Sequence, residues 1–275
     1  MSNQQTPVKA PPVSSYGPKI IAIANQKGGV GKTTTAINLG TAMAAVKKRV
    51  LIIDMDPQGN ASTGLGVERS KRRINSYALM TGEARVQDAV SDTTVPGLQL
   101  ISSGVDLAGA ELELVDVEKR EYRLRAALQG RLDAYDYVLI DCPPALGLLT
   151  LNALVAADEV MVPLQCEFFA LEGISHLIKT IERVRRSFNP RLEIQGIVLT
   201  MFDRRNNLSG LVESDVRGYF GPKVFDTVIP RNVRISEAPS HGKPVLLYDF
   251  KSSGAQAYVH LAGEVLKRDR REARA

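Results

Sequence analysis

The chain has 275 residues, of which 44% are hydrophobic and 24% are charged, and its net charge is +5. This length and composition predict a soluble globular protein with a substantial core. The two cysteines are too few for a disulfide framework, and no secretory segment precedes the first predicted strand. No apolar run approaches the ~18 residues of a membrane span. The composition therefore argues against a disulfide-rich secreted protein and an integral membrane protein, and we expect a cytoplasmic location.

The two ends of the chain differ in composition from the rest. Residues 1–18 contain four prolines together with Ser, Gln and Gly, which is typical of a disordered leader. Residues 267–275 hold five basic and two acidic residues, so the remainder of the chain is nearly neutral. We expect a leader at 1–18, a single domain at 19–266 and a basic tail at 267–275. Any nucleic-acid binding must then come from local patches.

Strand and helix patterns alternate along the predicted domain. Short apolar runs rich in β-branched residues predict buried strands at 20–24, 49–54, 137–141, 159–163 and 194–200. Helical patterns follow at 32–46, 171–188, 208–220 and 255–266. Apolar strands separated by helices predict an α/β fold, with a doubly wound, mostly parallel sheet and helices on both faces. Ligands of such sheets lie at the carboxyl ends of the strands.

The first predicted strand leads into a glycine-rich loop that opens a helix. Its sequence is Gln26-Lys27-Gly28-Gly29-Val30-Gly31-Lys32-Thr33-Thr34. Because glycines carry no side chains, successive backbone N–H groups can converge on phosphate oxygens. Lys32 supplies a positive charge for the β- and γ-phosphates, and Thr33 supplies a hydroxyl for Mg²⁺. This context predicts a phosphate-binding P-loop over 27–34.

The loop departs from the usual G-x-x-x-x-G-K-[ST] pattern at two places. Gln26 stands in place of the first glycine, and Lys27 follows it. A lysine ahead of the glycines is poorly placed to serve the phosphates of its own loop. The stretch resembles the deviant Walker A box of the ParA/MinD class of P-loop ATPases. That resemblance implies ATP as the ligand, and it implies that Lys27 reaches across a dimer interface to the partner subunit's nucleotide.

Carboxylates stand at the ends of two other predicted strands. Asp141 ends a hydrophobic strand, as in a Walker B motif, and we expect it to orient Mg²⁺ through a water. Asp54 and Asp56 are two residues apart, so both point the same way if the strand geometry persists. By resemblance, Asp54 lies near the metal and Asp56 positions the attacking water. Mg²⁺ and the two loop lysines would offset this negative charge.

The resemblance to ParA-type chromosome- and plasmid-partition ATPases covers roughly residues 19–265. Four separated motifs follow the family's order, at 24–27, 54–60, 141–144 and 229–244. The resemblance implies that the last motif and the loop near Met201 enclose the adenine, with base contacts from Met201, Pro230 and Asn232. It also implies an ATP-dependent homodimer and stimulation of hydrolysis by a centromere-bound ParB-like partner.

Basic residues form several clusters that are candidates for DNA contact. These are 69–73, 183–186, 204–205, 231–234 and the tail. Charge runs are usually solvated surface, but the resemblance favours Arg205 and Arg234 as non-specific DNA contacts. No helix-turn-helix or zinc spacing is present, so we expect phosphate contacts without sequence readout, and a location on the nucleoid.

Other members of this class provide alternatives. A MinD-like membrane-associated ATPase needs an amphipathic C-terminal anchor, and the tail has no Phe, Leu, Ile or Trp to insert, so we expect no membrane partner.

A nitrogenase-type iron protein needs cluster-binding cysteines, whereas Cys142 and Cys166 are typical of buried small hydrophobes. A bacterial tyrosine kinase would usually carry a tyrosine-rich tail. A nucleotide-gated scaffold with negligible turnover is disfavoured by Asp56 and Asp141.

Overall fold

The structure is a computed structural model that describes residues 17–272, so most of the predicted leader and the last three residues lie outside the described range. The strands are β1 Lys19–Ile23, β2 Val50–Asp54, β3 Val90–Asp92, β4 Leu98–Ile101, β5 Tyr137–Asp141, β6 Glu159–Gln165 and β7 Glu193–Thr200. The helices are α1 Lys32–Ala45, α2 Asn60–Gly64, α3 Ser76–Thr81, α4 Val86–Ala89, α5 Leu107–Glu113, α6 Arg123–Leu128, α7 Leu148–Ala156, α8 Ala170–Ser187, α9 Asn207–Phe220, α10 Val233–Glu237, α11 Val245–Tyr248 and α12 Ser253–Glu272. Short 3-10 turns cover Arg69–Lys71, Arg120–Tyr122, Gly221–Lys223 and Ala238–His241.

The strands form one seven-stranded sheet in the order β3-β4-β2-β5-β1-β6-β7. Every neighbouring pair is parallel except the edge pair β3–β4. The predicted mostly parallel, doubly wound sheet is therefore confirmed. β1 lies between β5 and β6, so the loops after these three strands meet at one edge of the sheet, where ligands of open α/β sheets bind.

Each face of the sheet packs against its own layer of helices. Ile21 and Ile23 of β1 belong to a core that includes side chains of α1 and α12. Ala22, between them, faces the opposite core, which includes side chains of α7 and α8. Because successive strand residues point to opposite faces and both faces are covered, the central strands read as continuous apolar runs. This explains why the sequence predicted them well.

Two of the differences between structure and prediction concern the edge of the sheet and the end of the last helix. β3 and β4 were not predicted, because strands of three and four residues give too short a pattern. The last helix does not end at 266: α12 continues to Glu272. Arg268 of this extension stacks on Phe225 at 4.0 Å from the ring centroid and donates a hydrogen bond to the Gln195 carbonyl. The division into leader, domain and tail otherwise remains a prediction.

Within residues 17–272, no helix combines the length and the apolar character that crossing a bilayer requires.

Candidate nucleotide-binding site

The glycine-rich loop joins β1 to α1 and leaves the start of that helix open. Gly29 and Gly31 have φ values of 76° and 92°, which favour glycine. Gly31 is the N-cap of α1, and no side chain in the described part of the chain caps it. The first N–H groups of the helix are therefore available to bind a ligand, and the helix dipole adds a partial positive charge at this end. This is the geometry of a phosphate site.

Hydrogen bonds to neighbouring elements fix the loop in place. Thr200, the last residue of β7, donates to the Val30 carbonyl at 2.8 Å. The Asn25 amide donates to the carbonyl of Pro163 at 2.8 Å, and a longer bond of 3.3 Å joins Gln26 to α8. The loop is thus held in shape by β6, β7 and α8, so little reorganisation is required for binding.

The two lysines of the loop occupy different environments. Lys32 is 6% exposed, and its Nζ donates to the Lys27 carbonyl at 2.9 Å. Burial lowers the pKa of Lys32, and the nearby carboxylates of Asp141 and Asp56 partly oppose that change. Lys27 instead lies at the surface, where its ammonium group forms an ion pair with Glu167 of the same chain. The Lys32 ammonium group therefore lies against the loop, whereas the Lys27 ammonium group points away from it.

The parallel pairing of β2 and β5 sets Asp54 and Asp141 directly opposite each other. Asp141 is fully buried, and neither of its carboxylate oxygens has a hydrogen-bond partner of normal geometry among the described residues. Burial, and next the charge of Asp54, raise the pKa of Asp141 well above its usual value, while the nearby Thr33 hydroxyl lowers it. Buried polar atoms rarely stay without partners, so these oxygens mark a place for a cation or its water ligands.

The donor set of this site fits Mg²⁺. Mg²⁺ is usually held by one or two protein oxygens together with substrate phosphates and waters. Within residues 17–272, no group of three or more His, Cys, Asp or Glu side chains forms a ready-made metal cage. Asp141 with the Thr33 hydroxyl gives the smaller set that a nucleotide-dependent Mg²⁺ requires.

Asp54 has a different environment from that of Asp141. Its carboxylate accepts hydrogen bonds from the Ser62 amide at 2.9 Å, the Ser62 hydroxyl at 2.7 Å and the Asp56 amide at 3.2 Å. Burial raises the pKa of Asp54 to about 6. Because both oxygens are engaged, the carboxylate shapes the following loop. Its predicted proximity to the metal stays a prediction.

Asp54 and Asp56 were expected to point the same way if the strand continued to Asp56. The strand β2 ends at Asp54, so Asp56 lies beyond it. Its carboxylate accepts from the Gln58 amide at 3.0 Å, and its carbonyl accepts from the Gly59 amide at 2.8 Å. Asp56 is 7% exposed, and it is close enough to Lys32 and Asp141 to affect the pKa of both. The turn therefore brings a third carboxylate to the phosphate end of the site.

The segments predicted to enclose the adenine meet beyond β7. Met201 follows Thr200 and has a φ of 52°, which is uncommon for a residue other than glycine. Phe202 forms an isolated parallel bridge with Pro230. Asn232 caps α10 through its side chain. The bridge places Pro230 beside the residue that follows Met201, and Thr200, which precedes Met201, is bonded to the P-loop. The contacts of Met201, Pro230 and Asn232 with a base remain a prediction.

The basic residues predicted to contact DNA are already paired with acids. Arg205, whose side chain is 89% exposed, binds Asp203 at 2.9 Å. Arg234 binds Glu237 at 2.9 Å and Asp249 at 3.4 Å. Both remain accessible, so a DNA phosphate would compete with these partners.

The remaining residues that the sequence analysis singled out show mixed outcomes. Arg72, in the basic run 69–73, is only 7% exposed, so it is not part of a solvated basic face. Cys142 and Cys166 are free and buried, as predicted. Sequence reasoning missed Ser62 and Thr200, whose contacts with Asp54 and the P-loop depend on the tertiary fold.

Comparisons with known proteins identify relatives of this chain. The family described as the AAA domain matches residues 18–194. The chain is 64% identical over 260 residues to the chromosome partitioning protein ParA of Caulobacter vibrioides, covering 94% of this chain and 97% of that protein. It is 54% identical over 247 residues to the sporulation initiation inhibitor protein Soj of Bacillus subtilis, covering 90% and 98% of the two chains. The structure of cobyrinic acid a,c-diamide synthase from Mycobacterium smegmatis, with a bound ATP analog and magnesium, has a TM-score of 0.81 and 37% identity, covering 92% and 96%.

Proposed function

This chain belongs to the ParA family of partition ATPases, with ATP as substrate and Mg²⁺ as cofactor, and we propose that it segregates chromosomal or plasmid DNA through an ATP-dependent dimer. The observation that carries the proposal is the opposite placement of the two loop lysines. Lys32 is buried against its own loop, whereas Lys27 is exposed at the edge of the site. One lysine is available for the nucleotide of its own subunit, and the other for that of a partner subunit.

Each residue of the site has a distinct role in this proposal. Lys32 and the N-terminus of α1 bind the phosphates, while Thr33 and Asp141 hold Mg²⁺. When bound, the ion supplies positive charge to the phosphate oxygens. Asp56 accepts a hydrogen bond from the attacking water and orients it toward the γ-phosphate. Asp54 fixes the backbone amide of Asp56 and so supports this orientation.

In this proposal, dimerisation couples ATP binding to DNA binding. Lys27 leaves Glu167 and contacts the phosphates bound by the partner subunit, which requires two nucleotide-loaded protomers face to face. The contacts exist only while the γ-phosphate is present, so ATP shifts the population toward the dimer and hydrolysis reverses the shift.

DNA binding follows from pairing two weakly basic faces. Arg205 and Arg234 of each protomer contact phosphates without reading bases. Two faces on one duplex neutralise more phosphates than one, and the second contact is intramolecular. The dimer then resides on the nucleoid until a centromere-bound ParB-like protein stimulates hydrolysis. No membrane partner is part of the proposal.

The proposal is tested with the purified full-length protein in four states: nucleotide-free, with ADP, with ATP, and with a slowly hydrolysed ATP analogue. Size and DNA affinity are measured on the same samples, with duplexes of unrelated sequence. We expect dimers and DNA binding only with ATP or the analogue, and equal affinity for all duplexes. Tight DNA binding by the nucleotide-free monomer, or a clear preference for one sequence, would overturn the proposal.

A further inference from the structure

Arg72 places a guanidinium group inside the protein, next to the loop that carries Asp56. Its Nη1 donates to the carbonyls of Gly59 at 3.2 Å and Ser103 at 3.3 Å. Its Nη2 donates to the Val67 carbonyl at 2.6 Å and the Thr63 hydroxyl at 2.9 Å, and Nε donates to Val67 at 3.0 Å. The side chain therefore binds three backbone carbonyls, one before α2, one after α2 and one after β4.

A buried cation of this kind is costly unless its hydrogen bonds are satisfied. Burial lowers the pKa of Arg72, and the charge of nearby Asp54 opposes that change. The direct partners of the guanidinium are carbonyls and a hydroxyl, and its fork geometry allows it to hold several of them at once. The guanidinium group thus holds backbone carbonyls in place and is not half of a surface ion pair. We call Arg72 with these hydrogen-bond partners the clamp.

The clamp is connected to Asp56 through both ends of its loop. At the start, the Asp56 amide donates to Asp54. At the end, the Gly59 amide donates to the Asp56 carbonyl, while the Gly59 carbonyl accepts from Arg72. Ser62 links the start of the loop to the Ser103 segment that Arg72 also contacts, because its hydroxyl donates to Asp54 and accepts from the Ser103 amide at 3.0 Å. Asp56 is therefore part of a hydrogen-bond network that includes Arg72.

Close packing at Gly59 shows how tightly the guanidinium is seated. Gly59 has a φ of +64°, and a Cβ there would lie 2.5 Å from Arg72 Nη1 and 2.9 Å from the Ser103 carbonyl oxygen. Thr63 also donates to the Gly59 carbonyl, at 3.1 Å. The loop backbone at Gly59 thus packs directly against the Arg72 side chain.

We propose that Arg72 is a positioning residue for ATP hydrolysis, which fixes the Gly59 end of the loop so that Asp56 meets the attacking water in the right geometry. The inference rests on the role proposed above for Asp56. Arg72 itself touches neither nucleotide nor water in this scheme. Its loss therefore affects the chemical step more than nucleotide binding, because Lys32, Thr33 and Asp141 lie on other segments.

The test compares Arg72→Lys, which keeps the charge but loses the fork, with Thr63→Val, which removes one bond to Arg72 and one to Gly59. Surface Arg85, which pairs with Asp88, provides the control Arg85→Ala. We measure kcat and KM for basal ATP hydrolysis, affinity for a fluorescent ATP analogue, and thermal unfolding. Misplacement of a reacting group costs up to roughly 100-fold in rate. We expect kcat to fall roughly 10- to 100-fold in Arg72→Lys and less in Thr63→Val, with KM and analogue affinity nearly unchanged.

Two results would overturn the inference. One is a wild-type kcat in a folded Arg72→Lys or Thr63→Val protein, and the other is a parallel loss of kcat and nucleotide affinity. If Arg72→Lys does not fold, the kcat of Thr63→Val decides. Asp56→Ala separates the two proposals: if it is inactive while the clamp variants are normal, only this inference fails. If Asp56→Ala hydrolyses ATP at the wild-type rate, the proposed role of Asp56 fails as well.

Discussion

Lys27 of the P-loop and Glu167 after β6 form an ion pair within one chain. They meet because β1 and β6 are parallel neighbours, so the loops that follow them lie side by side. The side chains are 48% and 29% exposed, and exposed pairs contribute only about 0–1 kcal/mol to stability. The pair with Glu167 is therefore weak enough for Lys27 to leave it, as the proposed contact with the phosphates of a partner subunit requires.

The first prediction separates nucleotide binding from dimerisation. Lys32→Ala should abolish ATP binding, because it removes the buried cation of the loop. Lys27→Ala should bind ATP with nearly wild-type affinity, yet remain monomeric and hydrolyse little, because the cation that crosses the interface is lost. Affinity is measured with a fluorescent ATP analogue, and size by light scattering with a slowly hydrolysed analogue. Normal dimerisation of Lys27→Ala would refute the crossing of Lys27.

A second prediction concerns Glu167. Replacing it by Gln removes the competitor for Lys27 inside the same chain. Each dimer releases two such ion pairs, each worth up to about 1 kcal/mol, so ATP-dependent dimers should form at up to about 30-fold lower protein concentration. ATP affinity of the monomer should not change, because Glu167 is not part of the phosphate site. Sedimentation over a concentration series measures the midpoint of dimerisation.

The control for this prediction is Glu172→Gln, which makes the same charge change at an exposed position of α8. It should leave the midpoint of dimerisation at the wild-type value. If Glu167→Gln also leaves it unchanged, the ion pair does not oppose dimerisation.

The parts of the site that were predictable from sequence are those encoded locally. The glycines and Lys32 of the P-loop, and the acids at the ends of β2 and β5, follow from short motifs next to apolar runs. Arg72 was different. Its sequence context is a charge run, and only the approach of Gly59 and Ser103 reveals that it is buried.

The end of α12 was likewise not predictable from the local sequence. The segment after 266 is rich in charge and gave no apolar period, so it was predicted as a tail. Arg268 stabilises the helix there by stacking on Phe225 and by bonding to carbonyls of distant elements. These long-range contacts have no signature in the helix's own sequence.

The third prediction concerns stability and pH in the nucleotide-free protein. Burial raises the pKa of Asp141 well above its usual value and that of Asp54 to about 6. A carboxyl group with a raised folded-state pKa binds its proton more tightly when folded. Its contribution to stability is therefore present at low pH and is lost as the pH rises through the folded-state pKa. Asp203 has the opposite shift, to a pKa of about 2, so its contribution to stability is constant over the tested range and is lost only at more acidic pH.

Asp141→Asn should therefore stabilise the nucleotide-free protein at pH 8, by about 1–3 kcal/mol, because it removes a buried carboxylate whose oxygens have no hydrogen-bond partner of normal geometry among residues 17–272. The gain should shrink toward pH 5, and hydrolysis should be lost. Thermal unfolding at pH 5, 6.5 and 8 measures the effect. Asp116→Asn, at an exposed site, is the control and should shift unfolding equally at all three pH values. A gain that grows toward low pH would contradict the prediction.

The last prediction concerns the pairing of Arg205 with Asp203, in which Nε and Nη2 bind the two carboxylate oxygens at 3.0 and 2.9 Å. Asp203→Asn should free Arg205 for a phosphate, so the ATP-bound dimer should bind DNA more tightly and with a steeper salt dependence, near −0.9 in log–log slope for each added phosphate contact. Arg205→Glu should remove DNA binding while ATP-dependent dimerisation survives. Affinity is measured over a salt series, with Asp215→Asn on α9 as a control for the change in net charge. Equal gains in Asp203→Asn and Asp215→Asn would reduce the effect to bulk charge, and loss of dimerisation in Arg205→Glu would refute the assignment of Arg205 to DNA.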